Sequence, residues 1–258
     1  MSEQALPTLL LVHGAWHGSW CWEQQFAPWL REQGHDVVTM DLPGHGKPGP
    51  ERIEWFSLTD YADAVEAKLR GLGRPVIVAG HSMGGMVVQK LMERRPANLA
   101  AAVLVASAPP GGVIGVVLHL LKSRPLALLR TSLTADLYHL VRSPELAHAL
   151  FYSDRLPDEL AEQYWQPLQN ESFRAFLDML ALGLPKPRRA DAALPKRVIG
   201  GGLDTIFPPD DVRRTAAAYG VDSIIYPDMA HNLMLDVGWE QVAEDLSEWV
   251  SGRWPRPG

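Results

Sequence analysis

Gly80-His81-Ser82-Met83-Gly84-Gly85 is the stretch of sequence that decides the fold. It follows a short apolar run at residues 76–79 and precedes an amphipathic segment at residues 83–95, so it predicts a sharp turn from a buried strand into a helix. Such a turn strains the backbone of its central residue, and glycines two before and two after that residue prevent collisions across the turn. The stretch therefore predicts Ser82 as a nucleophile whose hydroxyl points out of the turn.

The rest of the chain alternates apolar runs with amphipathic segments, a pattern typical of a parallel sheet covered by helices. Thr59 and Asp60 are candidate caps for the second helix, while Gly34 ends the first and Pro96 stops the third. The pattern predicts an α/β fold with a mostly parallel sheet of about six strands flanked by helices. The predicted strands are residues 8–12, 37–42, 76–79, 101–106, 197–199 and 223–226, and the predicted helices are 20–33, 59–72, 83–95, 209–219 and 239–254.

One region breaks this alternation. Residues 111–192 have a helical pattern without a convincing strand, and six prolines from Pro125 to Pro187 cut the region into short pieces. Because it lies between two predicted strands, we interpret it as an inserted helical cap. The predicted organisation is one α/β core domain made of residues 1–110 and 193–258, with a cap insertion at 111–192.

A serine hydroxyl needs a base and an orienting acid to act as a nucleophile near neutral pH. In proteins with this type of turn, the acid follows the serine and the histidine comes last. His231 is the one histidine beyond residue 150, and it lies between the last predicted strand and the last predicted helix. Asp204 follows the strand at 197–199 and is the expected acid. Its rivals are Asp228, in the same loop as His231, and Asp210, in the first turn of a helix.

An oxyanion formed on a substrate needs two backbone N–H donors. Met83, directly after the nucleophile, is the first expected donor, and Ala15, in the loop after the first strand, is the second. Gly14 allows the backbone to approach a substrate closely. Gly14, Trp16 and His81 are the candidates for contact with the substrate, although packing is an equal alternative for His81.

Composition excludes several other classes of function. The formal net charge of −6 offers no basic footprint for nucleic acid. Cys21 is the only cysteine, so an internal disulfide and a cysteine-based metal site are both impossible, and the scattered histidines suggest no metal or cofactor. The longest apolar run, residues 113–121, is well short of the roughly 20 residues that span a bilayer. We expect no membrane span and a cytoplasmic protein, and the sequence leaves the oligomeric state open.

Three blocks of sequence resemble the α/β-hydrolase superfamily: residues 13–22, residues 80–85, and the pair Asp204 and His231. The first block is similar to the branch that contains plant methylesterases, hydroxynitrile lyases and related bacterial esterases. Haloalkane dehalogenases and epoxide hydrolases of the superfamily use an aspartate nucleophile, which Ser82 disfavours. Hydroxynitrile lyases carry threonine at the position of Gly14 and lysine directly after the histidine, where this chain has Asn232.

The resemblance implies a carboxylic-ester hydrolase, that is, a serine esterase that forms an acyl-enzyme on small to medium apolar esters. A lyase, a lactonase, a C–C hydrolase or a cofactor-free perhydrolase on the same fold remains an alternative, because one scaffold hosts many reactions. The alternative from another class is a non-catalytic receptor for small molecules.

Overall fold

The predicted apolar runs form one six-stranded sheet. The computed structural model describes residues 6–46, 53–123 and 125–255. All pairings are parallel, in the order β2-β1-β3-β4-β5-β6, which confirms the predicted fold class. The strands are β1 (Thr8–Val12), β2 (Val37–Met40), β3 (Val76–His81), β4 (Leu99–Val105), β5 (Lys196–Gly201) and β6 (Ser223–Tyr226).

Helices cover both faces of the sheet and fill the connection between β4 and β5. They are α1 (Trp20–Glu23), α2 (Phe26–Glu32), α3 (Leu58–Leu72), α4 (Met83–Arg94), α5 (Ile114–Ser123), α6 (Pro125–Thr134), α7 (Pro144–Phe151), α8 (Asp158–Trp165), α9 (Phe173–Leu177), α10 (Pro209–Ala218) and α11 (Trp239–Arg253).

Two of the predicted helix details are wrong. The helix expected at 20–33 is split into α1 and α2 at Gln25, whose φ of −152° lies outside the helical region. Pro28 has no N–H to donate to the Gln24 carbonyl, so it fits only in the first turn of a new helix. Neither Thr59 nor Asp60 is the N-cap of α3. That position is Ser57, whose Oγ accepts from the Asp60 N–H at 3.1 Å, while Asp60 Oδ2 accepts from the Ser57 N–H at 2.7 Å. Asp60 therefore completes a capping box one turn inside the helix.

The alternation of side chains along β1 explains why both faces of the sheet are covered. Leu9 and Leu11 pack with α2 and α11 on one face, whereas Leu10 and Val12 pack with α3, α4 and α10 on the other. All four side chains are fully buried. A strand buried on both faces is what a parallel sheet with helices on each side requires.

The connection between β4 and β5 contains α5 to α9 and, in its described residues, no strand. Its buried side chains pack into the hydrophobic cores on both faces of the sheet. Phe151 and Tyr152 belong to the core that contains Leu9 and Leu11, and Met179 belongs to the core on the opposite face. Its division from the core at residues 110 and 193 stays a prediction, and the outer limits at residues 1 and 258 lie outside the described residues. No helix in the described segments is long and apolar enough to cross a bilayer.

The carboxyl edge of the sheet carries the predicted functional residues. The loops after β1, β3, β5 and β6 all leave from this edge, because the strands are parallel. The strand order changes direction beside β1, which has β2 on one side and β3 on the other. In open parallel sheets, ligands bind in the crevice at such a switch point.

Candidate active site

Ser82 lies in the turn between β3 and α4 with φ 53° and ψ −118°, a strained conformation for a residue with a side chain. Its N–H donates to the Val105 carbonyl at 3.0 Å, and its carbonyl accepts from the Ala108 N–H at 3.1 Å. A Cβ at Gly84 would overlap the carbonyl oxygen of His13, so the turn needs glycine there. These contacts fix the backbone of Ser82, and the residue remains 8% exposed.

Asp204 and His231 meet at the ends of β5 and β6. His231 Nδ1 lies 2.8 Å from Asp204 Oδ2, and both side chains are buried. Asp204 Oδ1 accepts from the N–H groups of Ile206 at 2.8 Å and Phe207 at 2.9 Å. Since a carboxylate only accepts hydrogen bonds, Nδ1 carries the proton and Nε2 is the basic nitrogen.

No hydrogen bond joins His231 to the Ser82 hydroxyl within the described residues. Contacts between a base and a nucleophile are often long before substrate binds and tighten in the complex. The rival carboxylates lie elsewhere: Asp228 is exposed, and Asp210 pairs with Arg213 at 2.7 Å on the surface.

Aromatic rings surround His231 and limit its contact with water. The Phe207 ring centroid is 5.5 Å from that of His231, and the Phe151 centroid is 6.2 Å away. Phe151 also accepts at its carbonyl from the Asn232 N–H at 2.9 Å. His81 Nε2 donates to the His231 carbonyl at 3.1 Å. Burial holds the pKa of His81 well below its ordinary value, so His81 is a neutral support for the His231 backbone.

The loop after β1 holds Gly14 and Ala15 in fixed peptide planes. His13 Nδ1 donates to the Gly14 carbonyl at 2.8 Å, and His17 Nδ1 donates to the Ala15 carbonyl at 2.7 Å. In a trans peptide the N–H points away from the carbonyl, so the first contact directs the Ala15 N–H to the opposite side. Within the described part of the chain, neither the Ala15 nor the Met83 amide donates to another protein group.

Both histidines of this loop are neutral donors. Leu42 N–H donates to His13 Nε2 at 3.0 Å, and Asn232 Nδ2 donates to His17 Nε2 at 3.0 Å, which leaves each proton on Nδ1. Burial is the largest influence on each: it keeps the pKa of His13 well below its usual range and lowers the pKa of His17 to about 4.

Gly14 packs directly against the serine turn. A Cβ at Gly14 would lie 2.8 Å from Ser82 Cβ and 2.7 Å from His81 Nδ1, closer than real side chains come. Trp16, two residues after Gly14, has a left-handed backbone conformation with φ 63°. Its indole N–H donates to the Leu137 carbonyl at 3.2 Å. The structure thus brings the predicted oxyanion loop against the serine turn, with Trp16 directed toward the connection between β4 and β5.

A mainly apolar cleft of about 580 Å³ lies between the start of the connection after β4 and α10, with Asp211 and Arg214 at its wall. Ser82 and His231 do not line it themselves. Pro109 lines it and follows Ala108, which bonds the Ser82 carbonyl. Phe207 lines it from the other side and packs on the His231 ring, and Val113 and Val116 contribute further apolar surface. The cleft therefore borders the neighbours of both Ser82 and His231.

The described residues contain no group of three or more His, Cys, Asp or Glu side chains arranged to hold a metal ion. Cys21, the only cysteine of the sequence, is buried and has a free thiol.

Sequence reasoning missed two buried carboxylates beside the site. Asp236 accepts from the Ala230 N–H at 2.8 Å and the Ser153 N–H at 3.0 Å, so it ties the loop of His231 to the end of α7. Glu171 contacts the loop after β1 through the Trp16 N–H. Neither acid has a recognisable local motif, because the contacts that tie it to the site are with distant residues: Ser153 lies 83 positions from Asp236, and Trp16 lies 155 positions from Glu171.

Comparisons with known proteins concern the family and the fold. A family model described as "Alpha/beta hydrolase family" matches residues 9–245. Methyl jasmonate esterase 1 of Vitis vinifera is 39% identical over 104 residues, 40% of each chain. Esterase PIR7B of Oryza sativa subsp. japonica is 37% identical over 114 residues, 43% of this chain and 42% of that protein. The chain thus matches about 40% of the length of these curated relatives.

Among solved structures, a methylesterase from Arabidopsis superposes with a TM-score of 0.72 at 21% sequence identity, covering 96% of this chain and all of that one. At this identity, the likeness shows a shared fold.

Proposed function

The chain belongs to the alpha/beta hydrolase family, and on that premise we propose that it is a carboxylic-ester hydrolase with Ser82 as nucleophile, His231 as base and Asp204 as acid. The observation that carries the proposal is the buried 2.8 Å contact between His231 Nδ1 and Asp204 Oδ2, at the sheet edge that also carries the strained Ser82. A pocket that only binds has no need of a histidine oriented by an acid. The relatives named as esterases support the same reaction class.

In the proposed first step, the Ser82 oxygen attacks the ester carbonyl and its proton passes to His231 Nε2. Asp204 keeps the imidazole in the Nδ1–H tautomer and stabilises the imidazolium that forms. The carbonyl oxygen becomes an oxyanion, which accepts from the Ala15 and Met83 amides. Met83 opens α4, so the positive end of the helix dipole adds to this stabilisation.

The tetrahedral intermediate then collapses. The bond between the carbonyl carbon and the alcohol oxygen breaks, and the alcohol leaves with the proton from His231. In the second half of the reaction, His231 Nε2 takes a proton from water, whose oxygen attacks the acyl carbon. Collapse of this second intermediate releases the carboxylic acid and returns the proton to Ser82.

We assign the cleft bordered by Pro109, Val113, Val116 and Phe207 as the substrate pocket. Its volume of about 580 Å³ and its mainly apolar lining, in which the charged residues Asp211 and Arg214 are paired with each other, suit a small to medium apolar ester. Val113 and Val116 belong to the connection between β4 and β5, which supports residues 111–192 as a cap that covers the site. Gly14 and Trp16 are the further candidates for substrate contact, whereas the bond from His81 to the His231 carbonyl favours a supporting role for His81.

Hydrolysis of p-nitrophenyl acetate measured beside cleavage of mandelonitrile tests the reaction class. Asn232, directly after His231, is neutral and donates to His17, so this position supplies no positive charge to help cyanide leave. Gly14 leaves no space for a Cβ beside Ser82, so the threonine of hydroxynitrile lyases has no place on this backbone. We expect ester hydrolysis and no appreciable cyanohydrin cleavage. Faster cleavage of mandelonitrile at matched concentration would refute the esterase proposal.

A further inference from the structure

Glu171 is a buried carboxylate that the proposed mechanism does not use. It is fully buried in the connection between β4 and β5, and four donors converge on it. Oε1 accepts from the Tyr61 hydroxyl at 3.0 Å and the Ser172 N–H at 2.6 Å. Oε2 accepts from His45 Nε2 at 3.0 Å and the Trp16 N–H at 3.2 Å. The carboxylate thus joins the connection to α3 and to the loops after β1 and β2.

This arrangement requires a carboxylate. Each of the two oxygens accepts two hydrogen bonds and no group accepts from Glu171, so an amide would turn its NH₂ toward two donors. Both ring nitrogens of His45 face acceptors, Nδ1 the Pro43 carbonyl at 3.2 Å and Nε2 Glu171, so the surroundings favour the positively charged ring. Burial lowers its pKa, but the charge and hydrogen bond of Glu171 outweigh burial and raise the pKa above its ordinary value. His13, whose ring lies 4.7 Å from that of His45, stays neutral because burial lowers its pKa.

Trp16 is the residue through which Glu171 reaches the active site. Its φ of 63° is unfavourable for a residue with a side chain, so the surrounding contacts must hold it. Three contacts do so: Glu171 accepts from its N–H, the Gln169 N–H donates to its carbonyl at 2.9 Å, and its indole donates to Leu137. All three partners belong to the connection between β4 and β5.

The Ala15–Trp16 peptide unit is held at both ends. His17 donates to its carbonyl at 2.7 Å, and Glu171 accepts from its N–H at 3.2 Å. The preceding peptide unit is held by His13 at the Gly14 carbonyl, and its other end, the Ala15 N–H, donates to no protein group in the described residues. The direction of that N–H is therefore set from two sides, by His13 at the Gly14 carbonyl and by the next peptide plane, which fixes the backbone of Ala15.

We propose that Glu171 is a positioning residue that aims the Ala15 N–H at the oxyanion, so that the connection between β4 and β5 sets the geometry of the oxyanion hole. This inference rests on the proposed esterase function. An oxyanion donor acts chiefly in the transition state, when the carbonyl oxygen becomes charged. Loss of Glu171 should therefore lower kcat and leave KM nearly unchanged, whereas a residue that only shapes the pocket would change KM.

The test is Glu171→Gln, with Glu159→Gln as the matched control. Glu159 is an exposed acid in the same connection, on α8, so the control makes the same chemical change away from the site. For Glu171→Gln we expect kcat for p-nitrophenyl acetate to fall about tenfold to a hundredfold, with KM changed less than about threefold. Kinetics are normalised to the number of sites titrated by a fluorophosphonate, so loss of folded protein does not count as loss of kcat.

A second readout separates positioning from general loss of structure. A trifluoromethyl ketone adds to Ser82: its carbonyl carbon bonds the serine oxygen, the proton passes to His231, and the ketone oxygen becomes an oxyanion. Glu171→Gln should weaken the affinity for this ketone by the same factor as kcat, while product inhibition by acetate stays unchanged. If Glu171→Gln fails to fold, Glu171→Asp keeps the charge and shortens the reach, and should show the same pattern.

An unchanged ketone affinity, or a loss confined to KM, would overturn the proposal for Glu171 while leaving the esterase function intact. Wild-type protein that turns over no ester would instead refute the proposed function. The two failures are therefore distinguishable in one set of assays.

Discussion

His17 should make the protein markedly less stable in acid. It is fully buried in the loop after β1, and burial, opposed by its hydrogen bond to Ala15, lowers its pKa from 6.5 to about 4. Because the folded-state pKa lies below the unfolded-state value, the unfolded chain takes up a proton below pH 6.5 and the folded chain does not. The contribution of His17 to stability is therefore complete above pH 6.5 and is lost as the pH falls toward 4.

The size of this effect follows from the two pKa values. At about 1.4 kcal/mol for each pKa unit, the gap from 6.5 to about 4 costs the folded state about 3 kcal/mol between pH 7 and pH 4. Burial also lowers the pKa values of His13 and His81, which adds to the loss in the wild-type protein, while the raised pKa of His45 opposes it. Comparing the free energy of unfolding of the wild type with that of a His17 variant cancels the contributions of these other groups.

The assay is urea unfolding of the wild-type protein and of His17→Gln at pH 7, 6, 5 and 4. His17→Gln removes the titrating group, so its free energy of unfolding should fall by about 3 kcal/mol less than that of the wild type over this range. His139→Gln, the same exchange at a partly exposed position, is the control and should behave as the wild type does. Equal losses in the wild type and His17→Gln would refute the reasoning.

Three further outcomes are expected. Asp204→Asn should lower kcat on the order of 10⁴-fold, because the substitution no longer fixes the tautomer of His231. Asp228→Asn, at an exposed position, should leave kcat nearly unchanged. The reverse result would mean that Asp228 is the acid. Gly14→Ala should lower kcat about a hundredfold, because its Cβ would lie 2.8 Å from Ser82 Cβ, and unchanged kinetics would contradict that geometry. Dialysis against a chelator should leave ester hydrolysis unchanged, and activity lost on chelation and restored by a divalent ion would indicate a metal enzyme.

Features that depend on neighbouring residues could be predicted from the sequence. The turn at Ser82 is encoded by its own glycines and by the strand and helix on either side. The order of acid and histidine after the serine pointed to Asp204 and His231, which the structure brings within 2.8 Å of each other. The alternation of apolar runs and amphipathic segments predicted the parallel sheet.

Features that depend on contacts between distant segments could not be predicted. Glu171 joins Trp16, His45 and Tyr61, which are more than 100 positions away, and nothing near Glu171 distinguishes it from an exposed acid. The neutral state of His17 likewise follows from burial and from Asn232, 215 positions later. The break between α1 and α2 is different, because it has a local signal: Pro28, inside the helix predicted at 20–33, has no N–H to donate to the Gln24 carbonyl.

Fluorophosphonate labelling with peptide mass spectrometry, paired with hydrolysis of p-nitrophenyl acetate by Ser82→Ala, tests the central claim most directly. The account predicts that the wild-type label lies on Ser82, that Ser82→Ala takes up no label, and that the folded variant hydrolyses the ester several orders of magnitude more slowly. A label on another residue, or a folded Ser82→Ala that keeps about a tenth of wild-type turnover, would contradict it.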